Sequence, residues 1–293
     1  MTSNPSVAVL LAAFNGIKWI EEQIKSIFNQ KDVNIHIYIS VDLSNDGTYE
    51  WCQELALKNG NINILPYGDH FGGAAKNFYR LIKEVDISSY DYISLADQDD
   101  IWFTDKISRA IKIINVRKLD GYSSNVIAFW QNGRKQLIKK SYPQNKLDYY
   151  FESAGPGCTF LFKQQSFKKF KNFLIKNWSL VNEVRLHDWM IYAFFRELSM
   201  VWYIDNIPSL YYRQHANNQI GANFNWRTSL SRIIKIKDKW ARNEVQKIIN
   251  LLKPYSNNKI SLDYFFLIKN FNKLRRKFTD RVILLFIILI RLF

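Results

Sequence analysis

The chain has 293 residues, enough for one large domain or one domain with an appendage, and 47% of them are hydrophobic. Its two cysteines, Cys52 and Cys158, exclude a disulfide framework, and the absence of CxxC spacing argues against a zinc site. We expect both to be reduced cytosolic thiols. A short polar stretch precedes residue 7, so we predict no signal peptide.

Positive charge is concentrated toward the carboxyl end. The net charge is +15, and residues 226–293 contain sixteen Lys and Arg against four acidic residues. The first 225 residues are therefore nearly balanced. A basic, aromatic-rich tail is typical of proteins that bind nucleic acid or lie on an anionic membrane surface.

Strand-like and helix-like segments alternate in the first half. Apolar β-rich runs cover 7–13, 35–41, 62–65 and 90–96, and helical spacing covers 17–29, 46–58, 72–85 and 103–116. This βαβ alternation predicts an α/β fold with a mostly parallel sheet flanked by helices. Further strands are expected at 126–130 and 158–162, and further helices at 164–173 and 188–198. In such folds, ligands bind beyond the carboxyl ends of the strands.

The region beyond residue 224 has a helical, basic pattern with no repeat and no low-complexity linker. We place a domain boundary near Ala222. This divides the chain into a catalytic domain at 1–222 and a basic helical carboxyl-terminal extension at 223–293.

Three carboxylates lie within four positions after the strand at 90–96, in the sequence Asp97-Gln98-Asp99-Asp100. Carboxylates this close repel one another. Mg²⁺ or Mn²⁺ relieves that repulsion through oxygen ligands that it shares with substrate phosphates. The tetrad thus indicates a metal that holds a diphosphate, with Asp97, Asp99 and Asp100 as ligands. An acidic turn that caps the helix after Trp102 is the alternative.

Polar and aromatic residues follow the first two strands. They are Ala13, Phe14 and Asn15 after one strand, and Asp42, Ser44 and Asp46 after the other. An aromatic ring offers a stacking face, and a carboxylate accepts the imide N–H of uracil or thymine. We therefore predict a nucleotide-base pocket around Phe14 and Asp42. For the second segment, a plain Asx turn before a helix is the alternative.

Lys76 and Asn77 follow two glycines at the expected start of a helix. Glycine lets the backbone approach a ligand closely, and a helix N-terminus favours anions. We therefore predict that both residues bind the donor. A helix start with a solvated lysine is the alternative.

Four motifs in order resemble those of the family 2 glycosyltransferases, which have the GT-A fold. They are Ala-Phe-Asn-Gly at 13–16, Val-Asp-x-Ser-x-Asp-Gly-Thr at 41–48, Gly-Gly-Ala-Ala-Lys-Asn-Phe at 72–78 and Ala-Asp-Gln-Asp-Asp-Ile-Trp at 96–102. The chain looks most similar to the bacterial surface-polysaccharide branch that includes rhamnosyltransferases. The resemblance covers roughly residues 5–220.

The resemblance implies an inverting transfer of a sugar from a nucleotide-diphospho-sugar to a saccharide carried on a polyprenyl diphosphate. It implies that Asp188, in His-Asp-Trp, is the general base, although an N-cap is the structural alternative. It further implies that Arg213 neutralises donor phosphate and that His215 reaches the metal or diphosphate. Gln98 is expected beside the donor. The implied donor is dTDP-rhamnose, with UDP-hexoses next.

Residues 282–290 form an uninterrupted apolar run flanked by basic residues. About 20 residues are needed to span a bilayer, so we predict a peripheral anchor at the cytoplasmic membrane surface instead. A buried terminal element and a homodimer contact are the alternatives.

Two other classes of protein compete with a glycosyltransferase. A nucleic-acid-binding protein would use the basic tail, but the acidic tetrad and the nonpolar terminus argue against a nucleic-acid partner. A nucleotidyltransferase would need a glycine-rich, basic phosphate loop after the first strand, and residues 12–16 contain none.

Overall fold

A computed structural model of the chain describes residues 4–215 and 239–293. Its strands are β1 Ser6–Ala13, β2 Asn34–Val41, β3 Ile62–Ile64, β4 Tyr92–Asp97, β5 Ile101–Trp102, β6 Gly121–Ser124, β7 Val126–Trp130, β8 Lys135–Ile138, β9 Leu161–Lys163, β10 Trp202–Asp205 and β11 Leu210–Gln214. Its α-helices are α1 Ile20–Phe28, α2 Thr48–Lys58, α3 Ala74–Glu84, α4 Lys106–Arg117, α5 Gln164–Lys176, α6 Trp178–Val181, α7 His187–Glu197, α8 Trp240–Leu252, α9 Tyr264–Asn270 and α10 Phe278–Leu289.

Seven strands form a central sheet in the order β10-β6-β9-β4-β1-β2-β3. Strands β4, β1, β2 and β3 run parallel, as do β6 and β10, while β9 is antiparallel to β4 and β6. The predicted α/β fold with a mostly parallel sheet is therefore confirmed.

Alternation along β1 sends side chains to both faces of the sheet, and both faces are covered. Ala8 and Leu10 pack in a cluster with residues of α3, α5 and α7. Val7, Val9 and Leu11 pack in a second cluster with residues of α1 and α4. Because β1 is buried on both faces, its sequence is a continuous apolar run instead of an alternating one.

A second, four-stranded sheet has the order β5-β11-β7-β8. It places β11, which ends at Gln214, beside β5, which follows the acidic tetrad. The sequence analysis identified β7 but not the other three strands. The strand predicted at 158–162 is wrong in its first half. Gly157–Thr159 forms a 3₁₀ turn after Pro156, and the strand begins only at Leu161.

The helices α8 to α10 pack against the main domain in the same cluster as α7. Val245, Ile248, Leu267, Leu284 and Ile288 are buried there. The boundary predicted near Ala222 lies outside the described residues, and the division into two domains remains a prediction. None of the helices in the described ranges is long and apolar enough to cross a membrane.

Candidate active site

The carboxyl ends of β1, β2 and β4 meet at one edge of the central sheet. Ala13 pairs with Val41 on one side, and Ala12 pairs with Asp97 on the other. The residues that follow these strands are therefore neighbours, although they are far apart in sequence. The base-pocket residues and the acidic tetrad meet at this edge, as predicted from a parallel sheet.

The loops after β1 and β2 are tied to each other by side chains. Asn15 adopts a left-handed backbone (φ 45°), and its N–H donates to Ser44 Oγ at 3.0 Å. The Asp46 carboxylate accepts from the Ile17 N–H at 3.1 Å and from the Thr48 N–H at 3.0 Å. Ser44 and Asp46 thus hold the two loops together. The contact between the Thr48 N–H and Asp46 is the Asx turn given above as the alternative to a nucleotide-binding role. Beside them, the Phe14 ring is 47% exposed and available for stacking.

Asp42 is buried and organises the loop before α3. Its carboxylate accepts from the N–H groups of Leu43 and Phe71, both at 2.8 Å, and of Gly72 at 3.1 Å. His70 Nδ1 lies 3.3 Å from the same carboxylate. An ionised carboxylate has about four acceptor positions, so the N–H of a nucleotide base would have to replace the contact with the exposed His70.

Gln98 is held against the loop after β1. Its Oε1 accepts from the Phe14 N–H at 2.7 Å, and its Nε2 donates to the Phe14 carbonyl at 2.8 Å. A Cβ added at Gly16 would lie 2.0 Å from Gln98 Oε1, so a side chain there would displace the Gln98 amide. Gln98 therefore links the acidic tetrad to the loop after β1.

Asn77 and Lys76 occupy different environments at the start of α3. Asn77 is buried, and its Nδ2 donates to the carbonyls of Ala13 at 3.2 Å and Ser40 at 3.0 Å, which ties β1 to β2. Lys76 is exposed to solvent. Their contact with a donor remains a prediction.

The acidic tetrad lacks enough positive charge to balance it. Burial, with the charges of Asp99 and Asp188, raises the pKa of Asp97 to about 7. Burial also raises the pKa of Asp100 well above its usual value, and Asp100 Oδ2 is buried without a hydrogen bond. Below the tetrad, burial lowers the pKa of Lys106 to about 7. This excess of carboxylates favours a bound cation.

Possible metal-ligand atoms of Asp97, Asp100 and Cys158 lie within 4.8 Å of one another. Burial raises the pKa of the Cys158 thiol well above its usual value, so the sulfur stays protonated and is a poor ligand. Oxygen ligands suit Mg²⁺ and Mn²⁺. Asp97 and Asp99 are partly exposed, whereas Asp100 has no exposed surface. The carboxylates of Asp97 and Asp100 lie close enough to share a divalent cation, and the choice of ligands among the three carboxylates remains a prediction.

The end of β11 closes over the tetrad. His215 Nε2 lies 2.6 Å from Asp99 Oδ2. Arg213 donates from Nε to the Asp99 carbonyl at 2.8 Å and pairs with Glu22. The His215 ring also stacks on Trp19, with centroids 4.2 Å apart. The structure thus brings Arg213, in β11, and His215, just after it, to Asp99, which is one of the predicted metal ligands.

Asp188 is the second residue of α7, and its charge acts on the tetrad residue Asp97. Its Oδ1 accepts from the Trp189 N–H at 2.7 Å. Burial raises the pKa of Asp188 to about 6, while the Trp189 N–H, the Ser153 hydroxyl and the Lys140 cation act in the opposite direction. Its charge also raises the pKa of Asp97. Asp188 is therefore a carboxylate with a raised pKa beside the proposed metal ligands, which suits a general base.

Comparisons with known proteins identify the family. The profile of Glycosyl transferase family 2 matches residues 8–171. The chain is also 47% identical over 289 residues to the dTDP-rhamnosyl transferase RfbG of Shigella flexneri, covering 97% of this chain and 100% of that protein. The chain belongs to glycosyltransferase family 2.

Two further proteins show what this glycosyltransferase is similar to. It is 31% identical over 113 residues to the Escherichia coli UDP-Glc:alpha-D-GlcNAc-diphosphoundecaprenol beta-1,3-glucosyltransferase WfaP, covering 39% of this chain and 43% of that one. The crystal structure of a fragment of S. aureus TarS in complex with UDP superposes with a TM-score of 0.58 at 15% identity, covering 91% of this chain and 72% of TarS. The second likeness supports the GT-A fold alone.

These findings confirm the family resemblance, the fold and the glycosyltransferase activity that the motifs predicted. They do not favour a nucleotidyltransferase or a nucleic-acid-binding protein. The assignment of individual residues to the donor, the metal and the acceptor remains a set of predictions.

Sequence reasoning missed a group of residues near Asp188, the predicted general base. Arg276, placed in the basic flank of the terminal anchor, is only 3% exposed and pairs with Asp148 at 3.2 Å. It also donates to the Glu152 carboxylate and the Ser153 carbonyl. The run of basic residues at 273–277 concealed this inward role. Trp19 was missed as well, because no sequence signal links it to His215.

Proposed function

We propose that this glycosyltransferase transfers rhamnose from dTDP-rhamnose, with inversion, to a saccharide on a polyprenyl diphosphate. The observation that carries the proposal is a partly buried Asp188 whose charge acts on Asp97, in a chain 47% identical along its length to a dTDP-rhamnosyl transferase. A UDP-hexose is the competing donor. The name of WfaP supports an acceptor linked through a diphosphate to a lipid.

Asp188 would act on the acceptor. Its carboxylate takes the proton from the attacking hydroxyl, whose oxygen forms a bond to the anomeric carbon of the donor. The bond between that carbon and the diphosphate oxygen breaks on the opposite face, and the electron pair leaves with dTDP. One displacement with one base and no enzyme nucleophile inverts the anomeric centre.

The loops after β1, β2 and β4 would hold the donor. The exposed ring of Phe14 supplies a stacking face for thymine, and Asp42 supplies an acceptor for its imide N–H. Asp97, Asp99 and His215 would hold Mg²⁺ or Mn²⁺, and Arg213 would add positive charge near the diphosphate. A divalent cation bound there stabilises the negative charge of the leaving diphosphate as a Lewis acid.

The carboxyl-terminal helices would place the enzyme on the cytoplasmic face of the membrane. Phe265, Phe278, Ile283 and Phe286 are between 58% and 81% exposed, although all four are apolar. Lys and Arg outnumber acidic residues four to one in residues 226–293. Exposed apolar side chains beside cations complement an anionic bilayer, which we take as the partner of this surface. A second copy of the chain, bound in a homodimer, is the competing partner for this surface.

The role of the metal is tested by substituting Asp99→Asn and by chelation. We expect dTDP-rhamnose to raise the melting temperature of the wild-type protein in Mn²⁺, because a ligand of the folded state stabilises it. This shift should disappear in EDTA and in Asp99→Asn. The matched variant Asp105→Asn, outside the site, should keep it. A full shift in EDTA would contradict the metal role.

A further inference from the structure

Two cations, Lys140 and Arg275, lie close enough for their charges to interact, and Lys140 also interacts with the charge of Asp188. Within the described ranges, the Lys140 ammonium and the Arg275 guanidinium form no hydrogen bond and no salt bridge. Both side chains are partly exposed, so a ligand can reach them. Their neighbour Arg276 differs, because Asp148 and Glu152 already pair with it.

Both cations flank the loop at 152–157. A Cβ at Gly155 would lie 3.4 Å from Lys140 Cγ, so the lysine stem runs along the loop. On the other side, the Arg275 carbonyl accepts from Asn145 Nδ2 at 2.7 Å, and the adjacent Arg276 N–H donates to Glu152 in the loop. Hydrogen bonds therefore hold the backbone in place at both Lys140 and Arg275.

The same loop contacts Asp188, the proposed general base. The Ser153 hydroxyl lowers the pKa of Asp188, and a Cβ at Gly157 would lie 3.4 Å from Asp188 Cβ. Lys140 also lowers the pKa of Asp188, whereas no cation acts on the pKa of Asp97. Lys140 is thus associated with Asp188, and Arg275 with Lys140, whereas neither is among the charges that act on the proposed metal ligand Asp97.

An anion is the ligand that these groups lack. Burial lowers the pKa values of Lys140 and Arg275, because neither charge is fully compensated within the protein. Ammonium and guanidinium groups form strong hydrogen bonds to phosphate oxygens. The donor diphosphate is assigned to the other side of the site, so the anion here must come with the acceptor.

We propose that Lys140 and Arg275 bind the diphosphate that joins the acceptor saccharide to its lipid. This proposal rests on the proposed function and assigns it an acceptor subsite. Arg275 lies three residues before the exposed Phe278, at the start of α10. A diphosphate held at Arg275 would therefore have its lipid chain beside the apolar surface of the carboxyl-terminal helices and its saccharide beside Asp188.

The test measures the binding of geranyl diphosphate, with dTDP and EDTA present so that the metal-dependent donor site does not capture it. We expect Lys140→Gln and Arg275→Gln each to weaken binding about tenfold, because each removes one charged hydrogen-bond donor. The matched variants Lys139→Gln and Lys277→Gln alter exposed neighbours and should bind as wild type does. Lys140→Arg retains the charge and should bind nearly normally.

Three results would overturn the proposal. They are equal binding by Lys140→Gln and wild type, equal binding of geraniol and geranyl diphosphate, and displacement of the probe by phosphatidylglycerol vesicles, which would assign the cations to bilayer headgroups. Hydrolysis of dTDP-rhamnose in Mn²⁺ is measured on the wild-type protein and on the control variants Lys139→Gln and Lys277→Gln, and it should be equal in all three. Loss of hydrolysis in the wild-type protein would refute the proposed function instead.

Discussion

Asp188 combines burial with contacts that limit the rise of its pKa. Burial raises the pKa to about 6, while the Trp189 N–H and the Ser153 hydroxyl stabilise the carboxylate. At neutral pH the side chain is therefore mostly ionised, and it is more basic than a solvated aspartate. These properties suit a group that accepts a proton from a sugar hydroxyl.

Replacing Asp188 with Asn should lower the transfer rate by about 10²–10⁴-fold, because the amide keeps the shape but cannot accept the proton. Initial rates of transfer measure the loss. The thermal shift caused by dTDP-rhamnose should be unchanged, since the donor loops are intact. Transfer within a few-fold of wild type would exclude Asp188 as the base.

The pH dependence of transfer follows from the same carboxylate. Only the ionised base is active, and it is lost by protonation as the pH falls through about 6. We expect kcat/KM to fall about tenfold per pH unit below that value and to be nearly flat above it. A profile from pH 4.5 to 8.5 in buffers of constant ionic strength tests this. A kcat/KM that begins to fall only near pH 4 would mean that another group, or a solvated carboxylate, controls the rate.

At the scale of elements, the loop at 152–157 joins α7 to the carboxyl-terminal helices. Arg276 pairs with Asp148, which has no exposed surface, and reaches Glu152 and Ser153 in the loop. Arg196 pairs with Asp148 from α7. The loop that contacts Asp188 is thus held by a residue 88 positions after Asp188 in the chain.

Replacing Arg276 with Met should lower the free energy of unfolding by up to about 3–5 kcal/mol, because it leaves the buried Asp148 with only one of its two arginine partners and removes the cation that pairs with Glu152. Urea unfolding followed by tryptophan fluorescence measures the change. Lys277→Met, one position along and exposed, is the matched control and should change stability by less than about 0.5 kcal/mol. Equal stabilities of the two variants would show that the ion pairs do not form in solution.

The elements that sequence analysis predicted well are those with a long, single pattern. Strand β1 is a continuous apolar run, β2 alternates isoleucine or valine with other residues, and β4 is mostly apolar, and the order of these strands placed the tetrad at the correct edge. Strand β6, Gly-Tyr-Ser-Ser, has no apolar pattern, and it is a strand because β9 and β10 pair with it. Contacts such as Trp19 with His215 and Arg276 with Asp148 join distant parts of the chain, and no local pattern encodes them.

At the scale of the whole molecule, one end of the enzyme carries both positive charge and exposed apolar side chains. In α10, Leu284 and Ile288 face the core, while Phe286 and Ile283 are exposed. The apolar run at 282–290 thus supplies both a buried face and an outer face. The prediction of a peripheral membrane surface depends on this outer face.

Replacing Phe286 with Asp should weaken binding to vesicles that contain phosphatidylglycerol by about tenfold, because it removes a buried ring from the lipid. Flotation of the protein with vesicles measures binding. Leu57→Asp alters an apolar residue on α2 that is more exposed than Phe286, and this variant should bind as wild type does. If Phe286→Asp floats normally, the apolar surface does not contact lipid.

The most direct test of the account compares donors with one acceptor. Wild-type enzyme with Mn²⁺ is given dTDP-rhamnose or UDP-glucose and a saccharide on a short polyprenyl diphosphate, and the released nucleotide diphosphate and the product are measured together. The account predicts transfer of rhamnose with release of dTDP, with a higher kcat/KM than for UDP-glucose, and no transfer in EDTA. Transfer from UDP-glucose alone, or transfer that EDTA leaves unchanged, would contradict it.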